Sequence, residues 1–177
     1  YGLYVYVLNA GSLVSDARFD NISTAQNNSQ GTYLYAQNGG QIIDPVLNSF
    51  MALDNGNNGV YLNAGGAGAQ IANPFLTDIT ARENSFDGVT LASSGGGVIT
   101  APVLDAITVE GNGQRGVATS ASGAGSSMND LMLANVTATD NGSQGVVLSI
   151  SGGAQMTSPV LEDLTIADSA SHGLYLY

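Results

Sequence analysis

Cysteine, lysine and tryptophan are all absent from this 177-residue chain. Without cysteine there is no disulfide framework, no thiolate nucleophile and no thiolate-held metal. Three arginines and one histidine stand against fourteen aspartates and glutamates, for a formal charge of −11. That balance argues against nucleic acid and anionic membrane surfaces as partners, since both need clustered cations. Glutamate occurs only at Glu83, Glu110 and Glu162. With lysine missing as well, the usual helix formers other than alanine are thin, so a largely helical protein is disfavoured. No apolar run approaches membrane-spanning length, and nothing resembles a signal peptide. The lack of cysteine, the few cations and the many small polar residues suit an extracellular or bacterial cell-surface protein.

What is present is repetition. The chain holds 24 glycines, and aligning on a glycine followed by an apolar residue places Gly2, Gly31, Gly59, Gly88, Gly116, Gly145 and Gly173 in one column. The spacings alternate between 29 and 28, so six units form a 57-residue pair repeated three times. The one-residue variation falls in the glycine-rich loop after the first strand, where a ladder need not absorb it. Each unit holds three short β-patterned segments. The first follows the glycine, as in Val89-Thr90-Leu91, with Val89 and Leu91 inward. The second centres on Val14, Ile42, Ile71, Ile99, Met128 and Met156, and in four units a proline follows three residues later, marking a bend. The third, Leu104 to Val109 in the fourth unit, runs on to an asparagine column: Asn27, Asn55, Asn84, Asn112 and Asn141, with Ser169 in the sixth unit. These asparagines are expected in a turn, with amides bonded coil to coil and left-handed backbone tolerated. The glycines mark backbone that either has positive φ or is too crowded for a Cβ.

Two solenoids fit the period. Leu104-x-x-Ile107-x-Val109-x-x-Asn112 satisfies the leucine-rich-repeat pattern, but such a repeat needs a helix where this one has period-two residues and a glycine cluster. The string Asn-x-x-x-Gly-Val-x-Leu, as at Asn84 to Leu91, resembles the repeat of right-handed parallel β-helices of the pectate-lyase-like kind and of bacterial surface proteins, over the whole chain. The expected fold is therefore an all-β, right-handed parallel β-helix of about six coils. Residues 1–177 form one solenoid segment, and the matching terminal strands suggest that it belongs to a longer array. Further coils of the same chain, or copies joined end to end or laterally, are the expected partners. Surface glycans are a further candidate.

The resemblance implies that chemistry, where a β-helix carries it, sits on outward side chains of adjacent coils. Lyases of the kind use Ca²⁺-binding carboxylates with a basic residue; hydrolases use aspartate pairs. The outward positions of the first strand carry neither. They carry tyrosine instead: Tyr4, Tyr33, Tyr61 and Tyr175 in one column, and Tyr6, Tyr35 and Tyr177 in the next. These rings suit sugar stacking or protein contact, against the simpler reading of cross-strand packing within a sheet. On the third strand, Arg82 and Glu110 fall in neighbouring coils as a surface ion pair, and Thr80, Thr108, Thr137 and Thr165 form a row reminiscent of ice-binding solenoids. Val46, Phe75, Val103, Met132 and Val160 form an apolar strip that fills the core at the bend or packs laterally. Aspartates near the turns admit Ca²⁺ weakly; solvated acidic turns are the simpler reading. His172 has no second ligand near it in sequence, and Asn21 and Asn135 open glycosylation sequons of low specificity. The expected function is a non-enzymatic structural or adhesive segment: a stalk, fibre or surface adhesin. The alternative is a carbohydrate-binding or carbohydrate-active β-helix with its catalytic coils elsewhere.

Overall fold

The computed structural model describes all 177 residues as strands and turns, with no helix. Each repeat makes one coil, and every strand pairs in parallel with its counterpart one repeat away, so the chain is a parallel β-solenoid of about six turns. The leucine-rich alternative fails at the segment that made it doubtful: Val89–Ser94 is a strand, not a convex helix.

Three sheets wrap one core. The broad sheet contains the strands that follow the marker glycines, Leu3–Leu8, Thr32–Gln37, Val60–Gly65, Val89–Ser94, Val117–Ser122, Val146–Ser151 and Leu174–Leu176. A narrow sheet holds six three-residue strands such as Val98–Thr100. The third, kinked sheet holds the eight-residue strands, such as Val103–Glu110, and its first coil is split into Arg18–Asp20 and Ser23–Ala25. Inward columns of Leu, Ile, Val, Phe and Ala merge into one continuous apolar core. Pro45, Pro74 and Pro102 are buried at the corner between the narrow and kinked sheets. The apolar strip beside them resolves outward: Phe75 and Val160 are exposed, and Val46, Val103 and Met132 are half-buried.

Three details refine the expectations. The kinked strands break their alternation because Ser49, Asp78, Ala106, Asn135 and Asp163 have φ near +50°, which is why Leu104 and Ile107, three apart, both point inward. The marker glycines lack positive φ and are glycine because of crowding. A Cβ on Gly88 would lie 2.7 Å from Val109 Cγ1, 2.8 Å from the Gly116 carbonyl and 2.9 Å from Asn112 Nδ2. The asparagine column does bond coil to coil, but left-handed backbone belongs to the residue before it: Gln26, Asp54, Glu83, Gly111 and Asp140. Asn84 shows the rung. Its Oδ1 accepts from the Asn55 backbone N–H at 3.1 Å and from Asn55 Nδ2 at 2.8 Å. Its Nδ2 donates to the Ala52 carbonyl and to Asn112 Oδ1, both at 3.0 Å. This uses the amide's full capacity in a site only 1% exposed.

Candidate functional site: the tyrosine face of the broad sheet

Parallel pairing without slippage brings outward residues of the broad sheet into straight columns. Tyr4, Tyr33 and Tyr61 are successive register partners, followed by Thr90, Ala118, Val147 and Tyr175. Tyr6 and Tyr35 head the next column, above Asn63. Coils lie about 4.8 Å apart, a repeat that favours offset stacking of identical rings. Tyr33 and Tyr61 stack at 4.9 Å and 4°, Tyr4 and Tyr33 at 5.5 Å and 26°, and Tyr6 and Tyr35 at 5.3 Å and 24°. Within one coil, Tyr33 and Tyr35 stack at 5.2 Å. Such pairs contribute about 0.5–1.5 kcal/mol each beyond burial.

Tyr33 therefore has a ring from each neighbouring coil against it. The inner faces are spent on one another, so the cluster offers mainly ring edges and hydroxyls, with Tyr4 and Tyr6 its most exposed members within the sheet. Cross-strand packing thus accounts for much of the tyrosine column. Tyr6 Oη donates to Gln37 Oε1 at 2.5 Å, and Asn63 Nδ2 donates to Tyr33 Oη at 3.3 Å. Burial raises the Tyr4, Tyr33, Tyr35 and Tyr61 hydroxyls above the ordinary phenol value, with neighbouring tyrosines adding to the effect. These four hydroxyls therefore stay protonated throughout the physiological range. Tyr175 and Tyr177 pack together at 5.0 Å, four coils from this cluster, and His172 stacks on Tyr175 at 4.9 Å.

Sequence reasoning missed three contributors. Tyr1 stacks on Tyr4 at 4.7 Å. Gly65 makes room for the Tyr35 ring, which a Cβ there would approach to 3.0 Å. The third is a buried ion pair at the edge of the face. The Asp87 carboxylate, its side chain 3% exposed, accepts from Arg115 Nε at 2.9 Å and Nη2 at 2.8 Å, from the Arg115 backbone N–H at 3.1 Å and from Thr90 Oγ1 at 2.9 Å. Its signal was available, because Asp87 and Arg115 each precede a marker glycine in successive units. The expected Arg82–Glu110 pair also forms and is exposed.

Charge is segregated. Arg18, Arg82 and Arg115 each pair with one carboxylate, those of Asp20, Glu110 and Asp87, leaving eleven of the fourteen acids without an arginine. Nine of those eleven, such as Asp44, Asp78 and Asp140, occupy positive-φ positions, where Asp is favoured over most residues for its backbone tolerance. All eleven lie in the kinked sheet or its flanking turns, and none on the broad sheet. No group of three or more His, Asp or Glu side chains converges on one point. The kinked sheet carries a shallow depression of about 350 Å³, lined by Asn21, Ser49, Met51 and Asp78 among others.

In comparisons with known proteins, no family model and no curated sequence matches this chain.

Proposed function

We propose that this chain is a non-enzymatic, extracellular structural or adhesive segment, a right-handed β-helix of the pectate-lyase-like type. It acts as a rigid spacer that presents a neutral aromatic face. The observation that carries the reading is the stacked tyrosine cluster on the outward side of the sheet that follows the marker glycines. Its support is rigid, because every coil is tied to the next by parallel ladders, and the first five also by an asparagine rung from Asn27 to Asn141. A right-handed crossover follows from the twist of parallel strands in one sheet. The polar chemistry near the face is a neutralised ion pair whose carboxylate has four donors, an arrangement suited to holding a surface in place rather than transferring protons.

The reading is tested by incubating the chain with cell surfaces and a panel of extracellular polysaccharides. Retention and polymer breakdown are measured on the same samples. Retention without breakdown is expected, reduced in a Tyr4→Ala/Tyr6→Ala variant that keeps its β-sheet circular dichroism. Catalytic release of reducing ends or unsaturated sugars, or retention indifferent to those two tyrosines, overturns it.

A further inference from the structure

We infer, independently of the spacer role, that Asn38-Gly39 is a self-modifying site, at which the folded chain loses one ammonia and gains one carboxylate. An asparagine followed by glycine can close on itself. The glycine nitrogen gives up its proton to base in the solvent and bonds to the asparagine Cγ; the Cγ–Nδ2 bond then breaks and ammonia leaves. Water opens the resulting cyclic imide at either carbonyl, giving aspartate or its β-linked isomer. The net change is amide plus water to carboxylic acid plus ammonia, which calls for no oxidant, metal or cofactor. Closure requires a side-chain amide free to rotate, a glycine N–H without another partner, and access for water.

The chain has five such pairs, at Asn38, Asn55, Asn58, Asn112 and Asn141, and the last four are closed on every count. Asn55, Asn112 and Asn141 are buried members of the asparagine rung, with both amide atoms bonded. Asn58 is buried too, and its Oδ1 accepts from the Asp87 backbone N–H at 3.2 Å. Each following glycine donates its N–H to a carbonyl: Gly56 to Asn27 at 2.7 Å, Gly59 to Asp87 at 2.9 Å, Gly113 to Asn84 and Gly142 to Asn112, both at 2.8 Å. Asn38 differs in all three respects. It is exposed, in the turn between Thr32–Gln37 and Gln41–Ile43. Neither its amide nor the Gly39 N–H has a hydrogen-bond partner; the N–H groups on either side, of Asn38 and Gly40, hold the turn by donating to the Gly65 and Gln37 carbonyls, both at 3.0 Å. The Asn38 amide lies over Gly66 of the next coil, which has no side chain to cover it. Asn9, one coil earlier in the same column, precedes Ala10, whose Cβ crowds the attacking nitrogen. The turn also accommodates the product. Asn38 has φ +50°, a conformation that aspartate tolerates. The β-linked isomer lengthens the main chain in a loop whose length already varies by one residue between units.

Ageing the full chain in mildly alkaline buffer, folded and in parallel in guanidinium chloride, tests this. The folded chain should step from −11 to −12 in native isoelectric focusing, and peptide mapping by mass spectrometry should place the new acid at residue 38 in both linkages. The other four pairs open only when the coils do, so while folded they should convert at least ~100-fold more slowly than Asn38. In denaturant all five should convert at comparable rates. Asn38→Gly, the residue this column carries at Gly66, Gly95, Gly123 and Gly152, should keep the β-sheet circular dichroism and abolish the charge step. A folded chain slowed at residue 38 as much as at the other four overturns the proposal. So does folded-state conversion of Asn55 or Asn112 at the rate of Asn38, or a charge step that survives Asn38→Gly. Loss of the β-sheet spectrum as residue 38 converts overturns the accommodation of the product by the turn.

Discussion

Replacing Asn84 by alanine isolates the interaction that ties one coil to the next. The substitution removes the acceptor of two Asn55 donors, its backbone N–H and its Nδ2, in a site from which water is excluded. It also takes one donor each from the Ala52 carbonyl and Asn112 Oδ1. A buried donor without a partner costs about 1–3 kcal/mol, so the two on Asn55 alone make the variant about 2–6 kcal/mol less stable. The cavity left by the amide adds to this. Against a typical total of about 5–15 kcal/mol, that is a large fraction. Urea unfolding at 25 °C, followed by far-ultraviolet circular dichroism, measures the loss. The double variant Asn55→Ala/Asn84→Ala should cost less than the two singles together, because truncating Asn55 deletes one of the donors that Asn84→Ala strands. A single-variant loss below about 1 kcal/mol, or strict additivity of the pair, would refute the view that the rung is a closed hydrogen-bond system.

Further outcomes follow from the same geometry. Gly88→Ala should destabilise markedly, since its Cβ meets backbone and core atoms below 3.0 Å, whereas Gly111→Asn should be nearly neutral. Gly111 has φ +62° with nothing nearer than 3.8 Å, and its column accepts Asp and Glu; thermal melts distinguish the two. Arg115→Ala should cost about 3–5 kcal/mol by stranding the buried Asp87 carboxylate, while Arg82→Ala in the exposed pair should cost at most about 1 kcal/mol in the same unfolding assay. Tyr4, Tyr33, Tyr35 and Tyr61 have hydroxyls raised by burial, so the folded chain holds protons that the unfolded chain has lost. Their contribution to stability is complete below the ordinary phenol value of about 10 and declines as pH rises above it. Ultraviolet titration should show these four ionising later than free tyrosine, unless unfolding intervenes.

The architecture was readable because a solenoid writes its register directly into its period. Once the glycine and asparagine columns were aligned, every outward and inward column of the broad sheet followed, down to Tyr4 beside Tyr33 beside Tyr61. The left-handed kink in the third strand was not readable, because its column holds Asn, Ser, Asp, Ala, Asn and Asp. That set shares a tolerated backbone rather than a side chain. The two explanations of the marker glycines could be separated only by knowing what surrounds the missing Cβ, and the answer is the asparagine rung itself. For the candidate site, the tyrosine columns were placed correctly. Their mutual stacking depends on ring orientation, which periodicity does not carry, and it changes what the face offers from open ring planes to edges and hydroxyls. The Asp87–Arg115 pair lay in a column whose other members are Tyr, Gln, Asn and His, so nothing marked it as a ladder until the fold placed it over Thr90.

The stacked tyrosines rest on successive coils of the broad sheet lying in exact parallel register. A chain without cysteine allows a clean test of that register. Ala92 and Ser120 are outward register partners on adjacent coils, and neighbouring parallel strands place such positions within the 4.4–6.8 Å Cα span that a disulfide needs. Ala92→Cys/Ser120→Cys should therefore close an intramolecular disulfide on mild oxidation, seen by mass spectrometry of the intact monomer and its peptides. Ala92→Cys/Ser149→Cys, two coils apart, should not close. Failure of the first pair in a chain that keeps its β-sheet spectrum, or equal closure of the second, would contradict the coil register and the tyrosine face with it.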